Sequence, residues 1–293
     1  MSAMEQEVAE LAGVARSYDA RHQFLGDVVW PRDARMAVSL TVDFDAMLLR
    51  RLMNEPPMQL AKGEFGGRVG IWRLLELFAS QNVKATIFTP GRICELYPQA
   101  LRAAVRDGHE IADHMWEHQV PKDPALEQDH LLKTIAALER IAGRRPVGTR
   151  SDHTRSLLKR EGFLYSSDGS AAHIPYYVRD DPRDDSCLLN IPFHYALDDA
   201  MFYSFAWLGS GNSAQRITDP DRVFDMWWSA FWQQYRAGGY LNIVMHPFVS
   251  GRALRIAMMD RLISKMRTLP GVWFATCEDV ARHCLATHPP RHG

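Results

Sequence analysis

Apolar residues along this chain follow two alternating rhythms. MAVSLTVDF (36–44), KATIFT (84–89), HEIAD (109–113), PVGTR (146–150), FLYSSD (163–168), YLNIVMHP (240–247) and VWFATC (272–277) are short, β-rich runs that read as strands. HIPYYV and LLNIPF read as two more. Between these runs the apolar positions return every three or four residues, over 69–81, 97–108, 126–143, 221–239 and 254–269. That spacing predicts helices, with Gly108 and Gly143 ending two of them. Shorter helices are expected near 154–161 and at the C-terminus. Strands alternating with helices imply parallel pairing through crossover connections, in a barrel or in an open doubly wound sheet. No GxGxxG follows a strand, so the dinucleotide fold has no support. Asp43, Asp45, Arg150, Asp168 and His246 all fall where strands end, as expected at the C-terminal rim of a barrel. With no repeat and no low-complexity linker, residues 1–293 read as one α/β domain with a core over about 30–280.

Two stretches break the rhythm. Residues 47–68, MLLRRLMNEPPMQLAKGEFGGR, are expected to form either a lid-like insertion or a surface loop with a short helix. The tail, 286–293, is expected to fray.

Charge changes this picture little. The chain has 293 residues and a formal net charge of −1, which offers no electrostatic reason for nucleic acid or an anionic membrane as partner. Its first residues, MSAMEQEVAELAGVARSYDARH, place acids where a secretory signal carries positive charge. No apolar run approaches membrane-spanning length. Cys94, Cys187, Cys277 and Cys284 are scattered without a CxxC pair and read as reduced thiols. A soluble, cytoplasmic protein is the expectation. The Trp- and Phe-rich stretch around 224–232 would serve the core or the interface of a homo-oligomer.

The chemistry concentrates at TVDFDA (41–46). Residues two apart in a strand share a face, so Asp43 and Asp45 would lie side by side at the end of a buried strand. Two carboxylates that close need a cation or strong hydrogen-bond donors. His114 and His118, in HMWEH, have the i, i+4 spacing that brings two imidazoles to one face of a helical turn. Two imidazoles and one carboxylate make a three-ligand site with a position open for water, leaving the other carboxylate as a base. His246, ending an apolar strand before Pro247, would suit a general acid or a satisfied structural histidine. Arg150 would steady a catalytic carboxylate through a forked contact, or form a plain surface salt bridge.

The order TVDFDA, HMWEH, GTRSDHT, LDD and IVMHP resembles the polysaccharide deacetylase family, carbohydrate esterase family 4, from about residue 30 to 280. The resemblance implies a distorted, TIM-like (β/α) barrel of seven or eight strands holding a divalent metal, usually zinc. It implies that Asp43 is the catalytic base and that Asp45, His114 and His118 bind the metal. Arg150 would position the base, His246 would be the acid, and Asp198 or Asp199 would tune that histidine. KGEFGGRVG, with Glu64, and the later GRALRI and GVWFAT look like the branch of peptidoglycan-deacetylase-like proteins, cyclic imide hydrolases and metal-free allantoinases. Because the ligand residues are retained, a metal-dependent enzyme is expected. Where the family has Arg-x-Pro, this chain reads Arg150-Ser151-Asp152, followed by His153, and Met115 replaces the usual hydroxyl after the first histidine. Glu64, Asp152 and Trp116 are candidate substrate contacts, Trp116 as an apolar wall.

The expected reaction is metal-assisted hydrolysis of a C–N amide bond. Without an export signal, a small-molecule amide, cyclic imide or N-acyl compound is favoured over a cell-wall glycan. Residues 47–68 and the aromatic FHYALDDAMFYSFAW would close the pocket. Two rivals remain. HMWEH also spells the inverted zinc-peptidase motif with Glu117 as base, although Pro121 and Pro124 interrupt the helix that motif requires. The other rival is a barrel that binds its ligand without turnover.

Overall fold

The computed structural model describes residues 3–181, 183, 187–203 and 218–291. Among the described residues there are ten strands: β1 (His22–Phe24), β2 (Met36–Asp43), β3 (Thr86–Thr89), β4 (Glu110–Asp113), β5 (Gly148–Thr149), β6 (Tyr165–Ser166), β7 (Tyr176–Val178), β8 (Leu188–Asn190), β9 (Tyr240–Met245) and β10 (Val272–Phe274). A parallel ladder runs β9-β2-β3-β4-β5-β6-β8. β8 then pairs antiparallel with β7, and β7 with β1, so the ladder continues sideways instead of meeting β9. Closure comes from the chain beyond β8, through a bridge between Asp198 and Val244 and a hydrogen bond from Asn242 Nδ2 to the Pro192 carbonyl at 3.3 Å. The result is a seven-stranded (β/α) barrel, distorted at one seam. β10 adds in parallel to the first residues of β2, Met36–Val38.

Alternation along β2 separates two compartments. Val38, Leu40 and Val42 join the layer between sheet and helices, whereas Ala37, Ser39, Thr41 and Asp43 face the barrel interior. Small interior residues on β2 leave room for Phe88, Tyr165 and Tyr240, all fully or almost fully buried. Gly148 is required opposite Tyr165, because a Cβ there would sit 1.9 Å from the tyrosine Cζ. The start of the helix Cys277–Thr287 plugs the floor. Cys277 N donates to Thr86 Oγ1 at 2.8 Å, and Glu278 N to Glu110 Oε2 at 2.9 Å.

The strand pattern and the main helices, Ile71–Ser80, Pro98–Arg106, Pro124–Ala142, Pro220–Ala237 and Ala253–Arg267, lie where the periodicity placed them. Three features differ. The helix Ala3–Arg21 and the edge strand β1 were not legible, because none of the helix residues whose burial is described is buried, and they impose no apolar stripe facing the core. The 47–68 segment is helical: Leu48–Leu52 and Pro57–Phe65 lead through a wider turn, Gly66–Gly70, into Ile71–Ser80. It packs closely against its neighbours. A Cβ on Gly63 would stand 2.4 Å from the Ala46 carbonyl, and one on Gly70 1.9 Å from that of Pro247. The tail does not fray through Arg291. Tyr177 Oη donates to the His288 carbonyl at 2.7 Å, and Arg291 N to Gln23 Oε1 at 2.9 Å.

In Pro220–Ala237 one face, Val223, Trp227, Phe231 and Tyr235, is buried in the core. Residues 204–207, the end of the aromatic stretch expected near the pocket, lie outside the described residues. The four cysteines are buried and unpaired. Among the described residues, no helix is long and apolar enough to cross a membrane.

Candidate active site

At the C-terminal rim, β2 ends on Asp43 and the chain turns through Asp45 and Ala46, the latter at φ 48°. β4 delivers His114 one residue past its end. The HMWEH segment is not the helical turn that its spacing suggested. Met115 and His118 adopt positive φ, 68° and 64°, and the segment is a tight turn. The turn nevertheless brings the two imidazoles together, with centroids 4.8 Å apart and planes near perpendicular. His114 Nε2 lies 3.3 Å from Asp45 Oδ1, and His118 Nε2 lies 3.6 Å from Asp45 Oδ2.

Asp45 is completely buried, yet neither carboxylate oxygen has a hydrogen-bond partner, and His114 Nε2 has none either. Buried polar atoms are almost always satisfied, so converging orphans fit the binding of a cation. Asp45, His114 and His118 therefore form a candidate metal site of two imidazoles and a carboxylate. Burial would raise the Asp45 pKa, but His118, His114 and His246 outweigh it and hold the carboxyl far below its usual range. His114 Nδ1 is engaged by the Arg150 carbonyl at 2.5 Å, which aims Nε2 at Asp45.

Asp43 lies outside that triad. Its Oδ1 accepts from Arg150 Nη1 at 2.5 Å. The contact is single, not forked, because Arg150 spends its other donors elsewhere. Nη2 reaches Thr41 Oγ1 at 3.2 Å and Ser167 Oγ at 3.1 Å, and Nε reaches the Ser167 carbonyl at 3.1 Å. The guanidinium sits between the rings of Phe88 and Phe193, 4.1 and 4.6 Å from their centroids. Arg150 is thus locked inside the barrel, and a surface salt bridge is excluded.

His246 faces the pair from β9, with Nε2 4.0 Å from Asp43 Oδ2 and 3.8 Å from Asp45 Oδ2. Its other nitrogen, Nδ1, meets Asp199 Oδ1 at 2.8 Å, while Asp198 Oδ1 stands farther away, at 3.6 Å. Asp199 Oδ2 also accepts from His246 N at 2.9 Å and from Ser250 Oγ at 2.5 Å. Asp199 is therefore the direct partner. Burial would depress the His246 pKa, but Asp198, Asp199 and Asp43 outweigh it and hold the imidazolium well above the ordinary range. Burial, with Asp199 and Asp43 nearby, pushes the Asp198 carboxyl up to about 7 against the pull of His246.

The other candidates lie farther out. Asp152 is exposed and lines a cavity of about 490 Å³ with Met115, His118, Lys122, Glu127 and Thr154. Its neighbour His153 turns inward, and Nδ1 meets Glu127 Oε1 at 3.2 Å. Trp116 does not form the expected wall. It is 5% exposed, packs where a Cβ on Gly91 would lie 2.4 Å away, and is flanked by Arg92 and Lys133. Glu64 is engaged by Arg68 at 2.7 Å and by Tyr97, and does not join the triad. Asp168 pairs with Arg155 at 2.8 Å, away from the triad. Glu117 is held by Arg92 at 2.7 Å and by Arg51, and the segment carrying it is not helical, so the peptidase reading lacks both its base and its helix. Thr41, Ser167 and Ser250 escaped the sequence reading. Thr41 shares the strand face of Asp43 and was open to inference, whereas Ser167 and Ser250 carry no local signal.

The sequence profile described as polysaccharide deacetylase matches residues 64–165. The peptidoglycan deacetylase of Helicobacter pylori is 28% identical over 269 residues, covering 80% of this chain and 90% of that protein. A crystal structure from Mycobacterium smegmatis, assigned to the polysaccharide deacetylases, is 31% identical with a TM-score of 0.81, covering 91% of this chain and 96% of that one. The crystal structure of Puue allantoinase is 28% identical with a TM-score of 0.78, covering 89% and 94%.

Proposed function

Because this chain belongs to the polysaccharide deacetylase family, hydrolases of C–N amide bonds, we propose that it is a zinc-dependent amidohydrolase of a compact soluble substrate, an N-acyl compound, cyclic imide or ureide. The observation that carries this reading is the set of buried, unpartnered atoms on Asp45 and His114 beside an Arg150-bound Asp43 and an Asp199-bound His246. Two nitrogens and one oxygen suit zinc better than magnesium or calcium. A divalent ion held by Asp45, His114 and His118 would supply Lewis acidity to the scissile carbonyl and acidify water at neutral pH.

The protein's own groups account for the proton movements. Asp43, fixed through one oxygen by Arg150, keeps Oδ2 available to take a proton from the attacking water. His246, whose imidazolium form is favoured by Asp198, Asp199 and Asp43, offers the Nε2 proton to the departing nitrogen, which is a poor leaving group as an anion. Asp199 holds the imidazole by Nδ1 and leaves Nε2 directed at the reaction centre.

A compact substrate is supported by enclosure. Asp43, Asp45, His114 and His246 are each at most 6% exposed. A cavity of about 490 Å³ lies beside His118, bordered by Lys122, Glu127 and Asp152. A cytoplasmic setting accords with four buried, unpaired thiols. Glycan N-deacetylation is the second reading, supported by the relationship to the H. pylori enzyme.

The test is metal quantitation followed by hydrolysis assays on N-acetylglucosamine oligomers, cyclic imides, hydantoins and simple N-acyl amides. Turnover of the oligomers with every small amide and imide left intact would overturn the compact-substrate reading. Asp43→Asn should retain metal and lose about 10²-fold or more in kcat. Glu117→Gln should be near neutral; loss of activity there would restore the peptidase reading.

A further inference from the structure

Positive charge is crowded where the 48–70 segment docks on the loop following His246. Arg252 lays its guanidinium 3.8 Å from the centroid of Phe65, and Arg73 approaches the same ring at 6.0 Å. Arg73 Nη1 also donates to the Gly251 carbonyl at 3.2 Å. Arg50, 5% exposed, lies 5.2 Å from the ring of Phe248. The two rings belong to touching elements, since a Cβ on Gly66 would meet the Phe248 Cβ at 3.1 Å. Lys62 is half-buried one turn before Phe65, and Arg255 one turn beyond Arg252, 4.5 Å over Tyr203.

Glu55 pairs with Arg50 at 2.7 Å, and Asp199 lies near enough to Arg255 to oppose the lowering of its pKa by burial. Among the described residues, no Asp or Glu forms an ion pair with Lys62, Arg73, Arg252 or Arg255. The helix Ala253–Arg267 begins at this point with no side-chain cap and no acid in its first turn, so its N-terminus adds positive potential. The crowding is felt electrostatically. Burial, then Arg50 and Arg252, lower the Lys62 pKa, with Glu55 opposing; burial, then Arg255 and Arg73, lower that of Arg252. Half-buried like charges are costly unless an anion joins them, and this chain is otherwise close to neutral.

We propose that Lys62, Arg252 and Arg255, backed by Arg50 and Arg73, form a binding site for a small multivalent oxyanion, a phosphate or carboxylate group. Its occupant bridges the 48–70 segment to the loop after β9. Phe248 links this site to the catalytic acid, its ring centroid 5.6 Å from that of His246. The occupant is either a free anion or an anionic arm of the substrate.

The test titrates the metal-loaded full chain with inorganic phosphate against chloride at constant ionic strength, following thermal unfolding. Saturable stabilisation is expected, about 3 °C at tenfold excess over Kd. It should vanish in Lys62→Gln/Arg252→Gln. Should that variant fold poorly, Lys62→Gln and Arg255→Gln singly are each expected to weaken phosphate about fivefold. Absence of saturation, or a shift unchanged in these variants, overturns the proposal. Phosphate that raises KM only for a carboxylate-bearing amide supports the site with the substrate arm as occupant. Phosphate that alters turnover of neutral and charged amides alike supports it with a free anion. The melting readout needs no turnover, so it fails or succeeds independently of the proposed reaction.

Discussion

Replacing Asp199 by Asn separates acid catalysis from every other function of the site. The fully buried Asp199 accepts three hydrogen bonds: Oδ2 from His246 N at 2.9 Å and Ser250 Oγ at 2.5 Å, and Oδ1 from His246 Nδ1 at 2.8 Å. Asparagine has the same shape but one acceptor and one donor. Its oxygen belongs on the side with two donors, so its NH₂ faces Nδ1. Nδ1 must then accept, and the proton moves to Nε2. Forming the imidazolium would set N–H against N–H in a buried site. His246 thus remains neutral and becomes a poor proton donor. A positioned acid contributes about 10²–10⁴-fold, or about 3–5 kcal/mol of barrier at 1.36 kcal/mol per decade. The drop should appear in kcat, with KM nearly unchanged. The assay compares an amide with the aryl ester of the same acyl group. An aryloxide leaves without needing a proton, so the ester should lose less than about 10-fold. The alkaline limb of the amide rate should also move to lower pH, because the aspartate that helps hold the imidazolium above its ordinary range is gone. Equal losses on ester and amide, with an unmoved alkaline limb, would refute the assignment of His246 as acid and Asp199 as its support.

Other outcomes follow from the same geometry. Chelation should remove activity and zinc should restore it, and Asp45→Asn should bind metal at least about 10-fold more weakly, measured by metal content after dialysis. Gly148→Ala should destabilise the fold by about 3 kcal/mol in urea titrations, because the added methyl meets Tyr165 on a neighbouring strand inside the packed barrel. His109 is buried and accepts from Ala85 N at 3.0 Å; burial, then Lys84, lower its pKa to about 4. Between that value and the unfolded 6.5 the unfolded chain binds more protons, so this contribution is full above pH 6.5 and is lost as pH falls toward 4. The loss amounts to about 3 kcal/mol, and His109→Gln should remove it from the pH dependence of unfolding; an unchanged slope would discount it.

Sequence alone was enough for much of the barrel. Period-two apolar runs such as MAVSLTVDF can bury both faces only between a helix layer and a filled interior, and carboxylates at such a strand's end have no place except a rim with a counter-charge. The gathering of Asp43, Asp45, His114 and His246 at the rim was legible because each ends a strand or follows one within two residues, where backbone direction dictates side-chain direction. What depended on through-space packing was not. The positive φ at Met115 and His118 replaced the inferred helical turn, since Trp116 had to pack against Gly91 while both imidazoles faced Asp45. The choice of Asp199 over Asp198 turned on which carboxylate reached both His246 and Ser250. Arg150 spent its donors on Thr41 and Ser167 because the closed barrel, and not any local spacing, set those partners around it. Local pattern determines what a strand buries and where it stops; which distant groups then share a hydrogen or a charge is decided only when the barrel closes.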